Sequence, residues 1–237
     1  KNLKGDDLVK HVYENYPYYA IKSKIAPRLL GKESLNQVIA QRPSQDSLCL
    51  FSIGYEGKSV EYYTNQLIQE NIRLLIDVRK NPLSMKYGFS KNQLKSIVEG
   101  VGIKYIHIPN LGIDSSKRQS LNTDADYNIL FENYENYISA NQMEHVEFIY
   151  NEFLKTRRIA LTCFEKDYHH CHRSRTIKIL ENLFDKSYMV KHIWAEYEDK
   201  SLDYSESLSG YIKKVWRNCL YRSEEHTSEL QSHLNLV

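Results

Sequence analysis

The stretch LCLFSIGYEGKSVEYYTNQLIQENIRLLIDVRKNP, Leu48 to Pro82, decides the fold. It opens with a short apolar run, Leu48 to Ile53, closed by Gly54. Val60, Tyr63, Leu67 and Ile68 then recur at helical spacing between Ser59 and Glu70, and a second apolar run, Arg73 to Val78, carries Asp77 near its end. A short apolar run, a helical period and a second apolar run in succession predict strand, helix, strand. A parallel pair joined by a crossover helix is the simplest arrangement of such a unit.

The same alternation continues downstream. Ser90 is a suitable N-cap for a helix over Lys91 to Glu99, stopped at Gly100 and Gly102. Lys104 to Ile108 predicts a third strand ended by Pro109, Arg158 to Phe164 a fourth, His172 to Phe184 a helix, and Met189 to Trp194 a last strand. The expected class is α/β, an open and mostly parallel sheet with helices on both faces. Asp114 to about Phe153 interrupts the pattern as a helical insertion, polar up to Asp126 and then carrying Ile129, Leu130, Tyr134, Tyr137 and Ile138.

Ahead of the sheet, Leu8, Val12, Tyr13 and Tyr16 predict a helix ended by Pro17. Pro27 to Ala40 predicts another, with Leu29, Leu30, Val38 and Ile39 as its apolar set. The polar linker from Gln41 to Asp46 divides an N-terminal helical extension, residues 1–46, from the α/β domain, residues 47–221. The helices of the extension offer a surface for a protein partner. The last sixteen residues, Arg222 to Val237, resemble a translated sequencing adapter and carry no functional expectation; the native C-terminus is expected near Tyr221.

With 237 residues the chain can bury one sizeable core. It has 19 tyrosines against 7 phenylalanines, a bias that suits half-exposed aromatic faces. No apolar run reaches the roughly 18 residues that a membrane span needs, so no membrane association and a cytoplasmic location are expected. The chain begins at Lys1 rather than methionine, as a fragment would. Cys49, Cys163, Cys171 and Cys219 are too few and scattered for a secreted disulfide framework. The formal charge is +2, and leaving out the tail removes one arginine and three glutamates, giving +4. Neither value predicts a nucleic-acid binder by itself.

Ligands of open α/β sheets bind beyond the carboxyl ends of the strands. Gly54, Tyr55 and Glu56 follow the first strand, Asp77, Arg79 and Asn81 the second, and Cys163 and Glu165 the fourth. Gly54 and Gly57 admit a close approach to the main chain, but their spacing fits neither the Walker A nor the dinucleotide pattern. Asp77 and Arg79 form either a structural ion pair or an anion clamp with a water-orienting carboxylate. Glu56 and Glu165 are candidates to divide general acid and base roles.

The segment CFEKDYHHCHRSR, Cys163 to Arg175, is the densest in reactive groups. His169, His170, Cys171 and His172 are metal-capable, but adjacent ligands rarely aim at one ion and no second C-x-x-C pair exists, so neither a metal nor another cofactor is assigned. Ile177 stands where a cysteine-phosphatase loop needs arginine. The start of the helix at His172, with Arg173 and Arg175, reads instead as an anion site whose field lowers the pKa of Cys171 toward a nucleophilic thiolate. A packed, inert cysteine is the alternative. The catalytic candidates are thus Asp77, Glu165, Glu56 and Cys171. Gly54, Tyr55, Arg79, Asn81, Cys163, His172 and Arg173 are the substrate-binding candidates.

"SIGYEGKS" at Ser52 to Ser59, "DVRKNPLS" at Asp77 to Ser84, "GFSK" at Gly88 to Lys91, "YIHIPNLG" at Tyr105 to Gly112 and "CFEKDYHHCHRS" at Cys163 to Ser174 occur in an order and spacing that resembles the bacterial and archaeal domain of unknown function 488. The resemblance implies an α/β fold with a polar site built from these motifs, and a role in nucleic-acid processing or in defence against mobile elements. Ile113 departs from the family pattern, in which many relatives carry a second glycine after Gly112. The expected function is an enzyme acting on a nucleotide or nucleic acid, a hydrolase or glycosidase, with Tyr55 stacking on a base. The alternatives are a non-catalytic nucleotide-sensing module and a metal-dependent hydrolase using His169 to His172.

Overall fold

The computed structural model describes residues 3–15, 17–118, 121, 123–184 and 188–193. Tyr16, Trp194, Cys219 and the tail from Arg222, on which expectations were placed above, lie outside the described residues. No described helix is long and apolar enough to cross a membrane.

The described N-terminal residues up to Ser44 form one compact unit, with helices α1 (Gly5–Asn15), α2 (Ala26–Leu29) and α3 (Lys32–Ala40). Val9, Val12, Tyr13, Ala26 and Val38 are buried, and Tyr13 donates to Ser23 Oγ at 2.9 Å. The single helix expected over Pro27 to Ala40 is two. Leu30 turns extended (ψ 142°) and Gly31 opens α3 from an extended N-cap, so the periodic apolar residues straddle a corner.

The second unit takes in Gln45–Glu99 and Ile103–Glu198 and holds the sheet. Strand β1 (Cys49–Gly54) leads through helix α4 (Val60–Gln69) to β2 (Leu74–Asp77), and helix α5 (Lys91–Gly100) leads to β3 (Lys104–His107). The insertion follows, as helices α6 (Asp124–Asn141) and α7 (Met143–Thr156). It is two helices where the sequence suggested one long periodic run. A capping box starts α6, with Thr123 Oγ1 accepting from Asp126 N and Asp126 Oδ2 from Thr123 N, and Gln142 (φ −132°) breaks the run. Strand β4 (Arg158–Cys163), helix α8 (His172–Leu183) and strand β5 (Met189–Ile193) complete the unit.

All four strand pairs are parallel, in the order β3-β2-β4-β1-β5. Helices cover both faces. Leu74, Ile76, Ile159 and Leu161 pack with Tyr134 and Ile138 of α6, Ile149 and Phe153 of α7 and Ile177 and Leu180 of α8. On the opposite face, Tyr63 of α4 donates to Thr162 Oγ1 at 2.7 Å. Each fully buried aliphatic or aromatic side chain here contributes roughly 1.5–3 kcal/mol.

Strand β4 is the pivot of the topology. The chain leaves β1 and β2 in one direction along the sheet, then returns to place β4 between them before continuing to β5. The carboxyl end of β4 therefore lies where successive connections part, the position at which open α/β sheets form their crevice. Cys163 is the residue at that end.

Candidate functional site

Asp77 and Arg79, at the end of β2, are paired in the interior. Arg79 Nε donates to both Asp77 oxygens at 2.8 and 3.1 Å, and Nη2 also donates to Oδ2. Tyr105 on β3 donates its hydroxyl to Asp77 Oδ2 at 2.6 Å, and the main-chain N–H of Arg79 donates to Oδ1. The remaining guanidinium group, Nη1, donates to the Tyr55 hydroxyl and the Phe89 carbonyl. Asp77 is fully buried and Arg79 is 5% exposed. The geometry is that of an internal ion pair, and Arg79 also borders the cleft described below. Tyr105 takes part through its position beside β2, which the sequence did not reveal.

Tyr55 is buried as well. Its ring stacks on Phe89 at 4.3 Å between centroids and meets the edge of Phe164 at 5.3 Å. Both ring neighbours are protein side chains, and Tyr55 also borders the cleft described below.

The loop after β1 interlocks with the loop after β4. Tyr55 N and Glu56 N both donate to Phe164 O, at 3.1 and 2.9 Å. A Cβ on Gly54 would fall inside the Glu165 carbonyl group. The close approach that Gly54 permits is therefore to the β4 loop. Glu56 accepts from Lys166 N at 2.8 Å and is otherwise exposed, which makes it a brace for the same loop rather than the acid or base partner of Glu165. Arg173, 1% exposed, donates to the carbonyls of Glu165 (2.7 Å) and Lys166 (3.2 Å). Its charge holds the main chain of the loop, where the sequence suggested a substrate anion. Asn81 is exposed and accepts from Leu83 N at 3.3 Å.

Four side chains converge at the end of β4. A ligand atom from each of Cys163, Glu165, Cys171 and His172 lies within 4.8 Å of all the others, a grouping that could hold a metal ion. Cys171 Sγ donates to Glu165 Oε2 at 2.9 Å; His172 Nδ1 lies 3.8 Å from Cys163 Sγ and 4.0 Å from Cys171 Sγ. His172 Nε2 is 2.9 Å from the Val78 carbonyl, which can only accept, so Nε2 carries the proton. Nδ1 then carries the lone pair, and the Cys163 sulfur lies at nearly the same distance from Nε2 (3.9 Å) as from Nδ1. Cys163, Cys171 and His172 are buried and Glu165 is partly exposed.

The helix end was expected to lower the Cys171 pKa. Burial instead pushes the thiol up to about 12, with the neighbouring Cys163 adding to the rise. Cys171 without a metal is thus a protonated, packed thiol and not a free nucleophile. His169 and His170 turn away from this cluster, to Asp167 at 3.0 and 3.2 Å, on exposed surface. The metal-capable set is therefore not the run His169 to His172. It joins Cys171 and His172 of that run to Cys163 and Glu165 across the loop, with Cys171 extended (φ −131°, ψ 136°) as the N-cap immediately before α8 begins at His172.

Glu165 and His172 face an open cleft of about 460 Å³ that also meets Cys163, Lys80, Asn81, Ser84, Leu83 and Met85. Lys80 and Asn81 are exposed, as are Leu83 (75%), Met85 and Phe164 (45%). Lys80, Ser84 and the exposed apolar residues were absent from the sequence-based candidates, since nothing in their spacing distinguishes them from ordinary surface. A second cavity of about 630 Å³ shares Lys80, Ile113 and Asp114 with the first and runs along Ile129, Asn133 and Tyr137 of α6.

The family model "Domain of unknown function DUF488" matches residues 59–180. The chain belongs to this family. No curated protein and no solved structure matches it. The stretch matched to DUF488 includes the Asp77–Arg79 pair and all four converging side chains, whereas Gly54, Tyr55 and Glu56, which brace the β4 loop, precede it.

Proposed function

We propose that the chain is a hydrolase acting on a nucleotide or a nucleic acid, with the cleft after β4 as its active site and Glu165 as its general base. The observation that carries this reading is the partly exposed carboxylate of Glu165 at the wall of a cleft whose rim offers both a cation and apolar surface. A volume of about 460 Å³ suits a nucleotide-sized ligand. Lys80 supplies a charge for a phosphate, Asn81 and Ser84 supply neutral hydrogen-bonding groups, and Leu83, Met85 and Phe164 supply a face for a base. The adjoining cavity along α6 gives a longer substrate somewhere to continue.

In this reaction a water gives a proton to Glu165 as its oxygen bonds to the phosphorus or anomeric carbon and the bond from that atom to the departing group breaks. The proton then passes to the departing group, leaving the carboxylate as it began. Asp77, Arg79 and Arg173 act by fixing the loops that carry these groups.

The test is incubation of the purified protein with nucleotides and with single- and double-stranded oligonucleotides, with products read by mass spectrometry. A new hydrolysis product that is lost in Glu165→Gln, and that needs more substrate in Lys80→Ala, is the expected result. Binding of a nucleotide with no product from any substrate would replace the hydrolase by a sensing module.

A further inference from the structure

We infer that the end of β4 is a zinc site, with Cys163 Sγ, Cys171 Sγ and His172 Nδ1 as fixed ligands and Glu165 at the fourth, exchangeable corner on the cleft side. Nothing in this inference depends on the hydrolase reading.

The geometry points to zinc in three ways. The first is spacing. A tetrahedral ion with Zn–S of about 2.3 Å and Zn–N of about 2.0 Å holds sulfur and nitrogen roughly 3.6 Å apart. His172 Nδ1 stands 3.8 and 4.0 Å from the two sulfurs, and all four ligand atoms fit within 4.8 Å, so small rotations bring them onto one centre.

The second is the imidazole. A histidine that binds a metal nearly always donates its other ring N–H to a fixed acceptor. His172 does so already, to the carbonyl of Val78 at 2.9 Å, and its ring edge is held against Tyr134 at 5.7 Å.

The third is the choice of donors and their burial. Two thiolates with one imidazole favour a thiophilic ion over magnesium or calcium, which take oxygen ligands. Cys163, Cys171 and His172 are 3%, 0% and 1% exposed, while Glu165 is the partly exposed member and borders the cleft. Binding releases two thiol protons to solvent, and the two sulfur charges then balance those of the ion. The positive end of α8, which begins at His172, favours the thiolate at Cys171 once the proton has left. Glu165, the partly exposed member bordering the cleft, would be the ligand that a water could replace, leaving three protein ligands.

The experiment is metal analysis of the untagged full chain, purified from zinc-supplemented medium without chelator, together with removal of the metal and reloading by Co²⁺. One equivalent of zinc per chain is expected to survive desalting, and the cobalt form should show thiolate-to-metal charge transfer with the visible bands of a tetrahedral centre. His169→Ala with His170→Ala should leave both readings unchanged, since those residues lie outside the cluster. Glu165→Gln should keep the metal and shift the visible bands, and Cys171→Ser should lower bound zinc by roughly tenfold or more. Should Cys171→Ser fail to fold, the cobalt spectrum of the wild-type chain decides alone. Folded wild-type protein with well below one equivalent of zinc, or a cobalt form lacking charge-transfer absorption, overturns the site. No substrate enters these measurements, so they can fail while hydrolysis stands, and the reverse.

Discussion

Arg79 grips both carboxylate oxygens of Asp77 in the interior of the sheet unit, and the pair is completed from β3 by the Tyr105 hydroxyl. Removing one member of a buried ion pair leaves the other uncompensated, which costs about 3–5 kcal/mol. Asp77→Asn should therefore lower Tm by roughly 10 °C. Thermal unfolding followed by circular dichroism checks this. An unchanged Tm together with lost turnover would return Asp77 to a chemical role.

Gly54→Ala places a methyl group where the Glu165 carbonyl stands. The loops after β1 and β4 must then separate, giving up the hydrogen bonds from Tyr55 N and Glu56 N to Phe164 O. Loss of about 2 kcal/mol or more is expected, from a lost pair of buried hydrogen bonds and steric displacement. Denaturant unfolding measures it, and an alanine tolerated within 0.5 kcal/mol would show that the loops are not locked at this point.

Glu165→Gln preserves shape, and the Glu165 carbonyl still accepts from Arg173. Its Tm should stay within a few degrees of wild type while hydrolysis falls by ~100-fold or more, the usual contribution of a general base. Paired stability and single-turnover measurements separate the two effects. Equal loss of both would make Glu165 a structural residue.

Lys58 is 3% exposed and donates to the Ile193 carbonyl at 3.5 Å. Burial, reinforced by the charges of Arg173 and Lys166, brings its pKa down from 10.5 to about 7. Between those values the unfolded chain holds a proton that the folded chain has released, so this group makes stability rise as pH increases from about 7 toward 10.5. Below pH 7 the fold bears the full cost of the buried charge. Lys58→Met should be more stable than wild type at pH 6, with the difference shrinking by pH 10. Melting curves across that range test it, and a constant difference would mean that Lys58 is charged throughout.

Alternation of short apolar runs with helical periods made the α/β class legible, and the glycine and charged residues after each run marked the edge where the cleft lies. The strand order was not legible, because β4 enters between β1 and β2 through a connection containing the whole α6–α7 insertion, and local periodicity carries no record of such a return. The partners of Asp77 and Arg173 were hidden for a related reason. Tyr105 reaches Asp77 only through the pairing of β3 with β2, and Arg173 meets carbonyls of a loop whose path residue spacing does not specify. Cys163 and Glu165 meet Cys171 and His172 through the irregular loop between β4 and α8, whose path residue spacing does not encode.

The insertion between β3 and β4 divides its labour by helix face. On α6, Tyr134 and Ile138 are buried, and the Tyr134 hydroxyl bonds to the Leu111 carbonyl and lies 2.9 Å from Thr176 Oγ1. Ile129, Asn133 and Tyr137 of the same helix line the second cavity. Substitutions on that outer face can reshape what the groove admits while the inner face keeps α8 in place. Change at the cavity wall is thereby separated from the packing that holds α8, with Tyr137 the exception, since its hydroxyl accepts from Gln142 Nε2 at 3.1 Å where α6 gives way to α7.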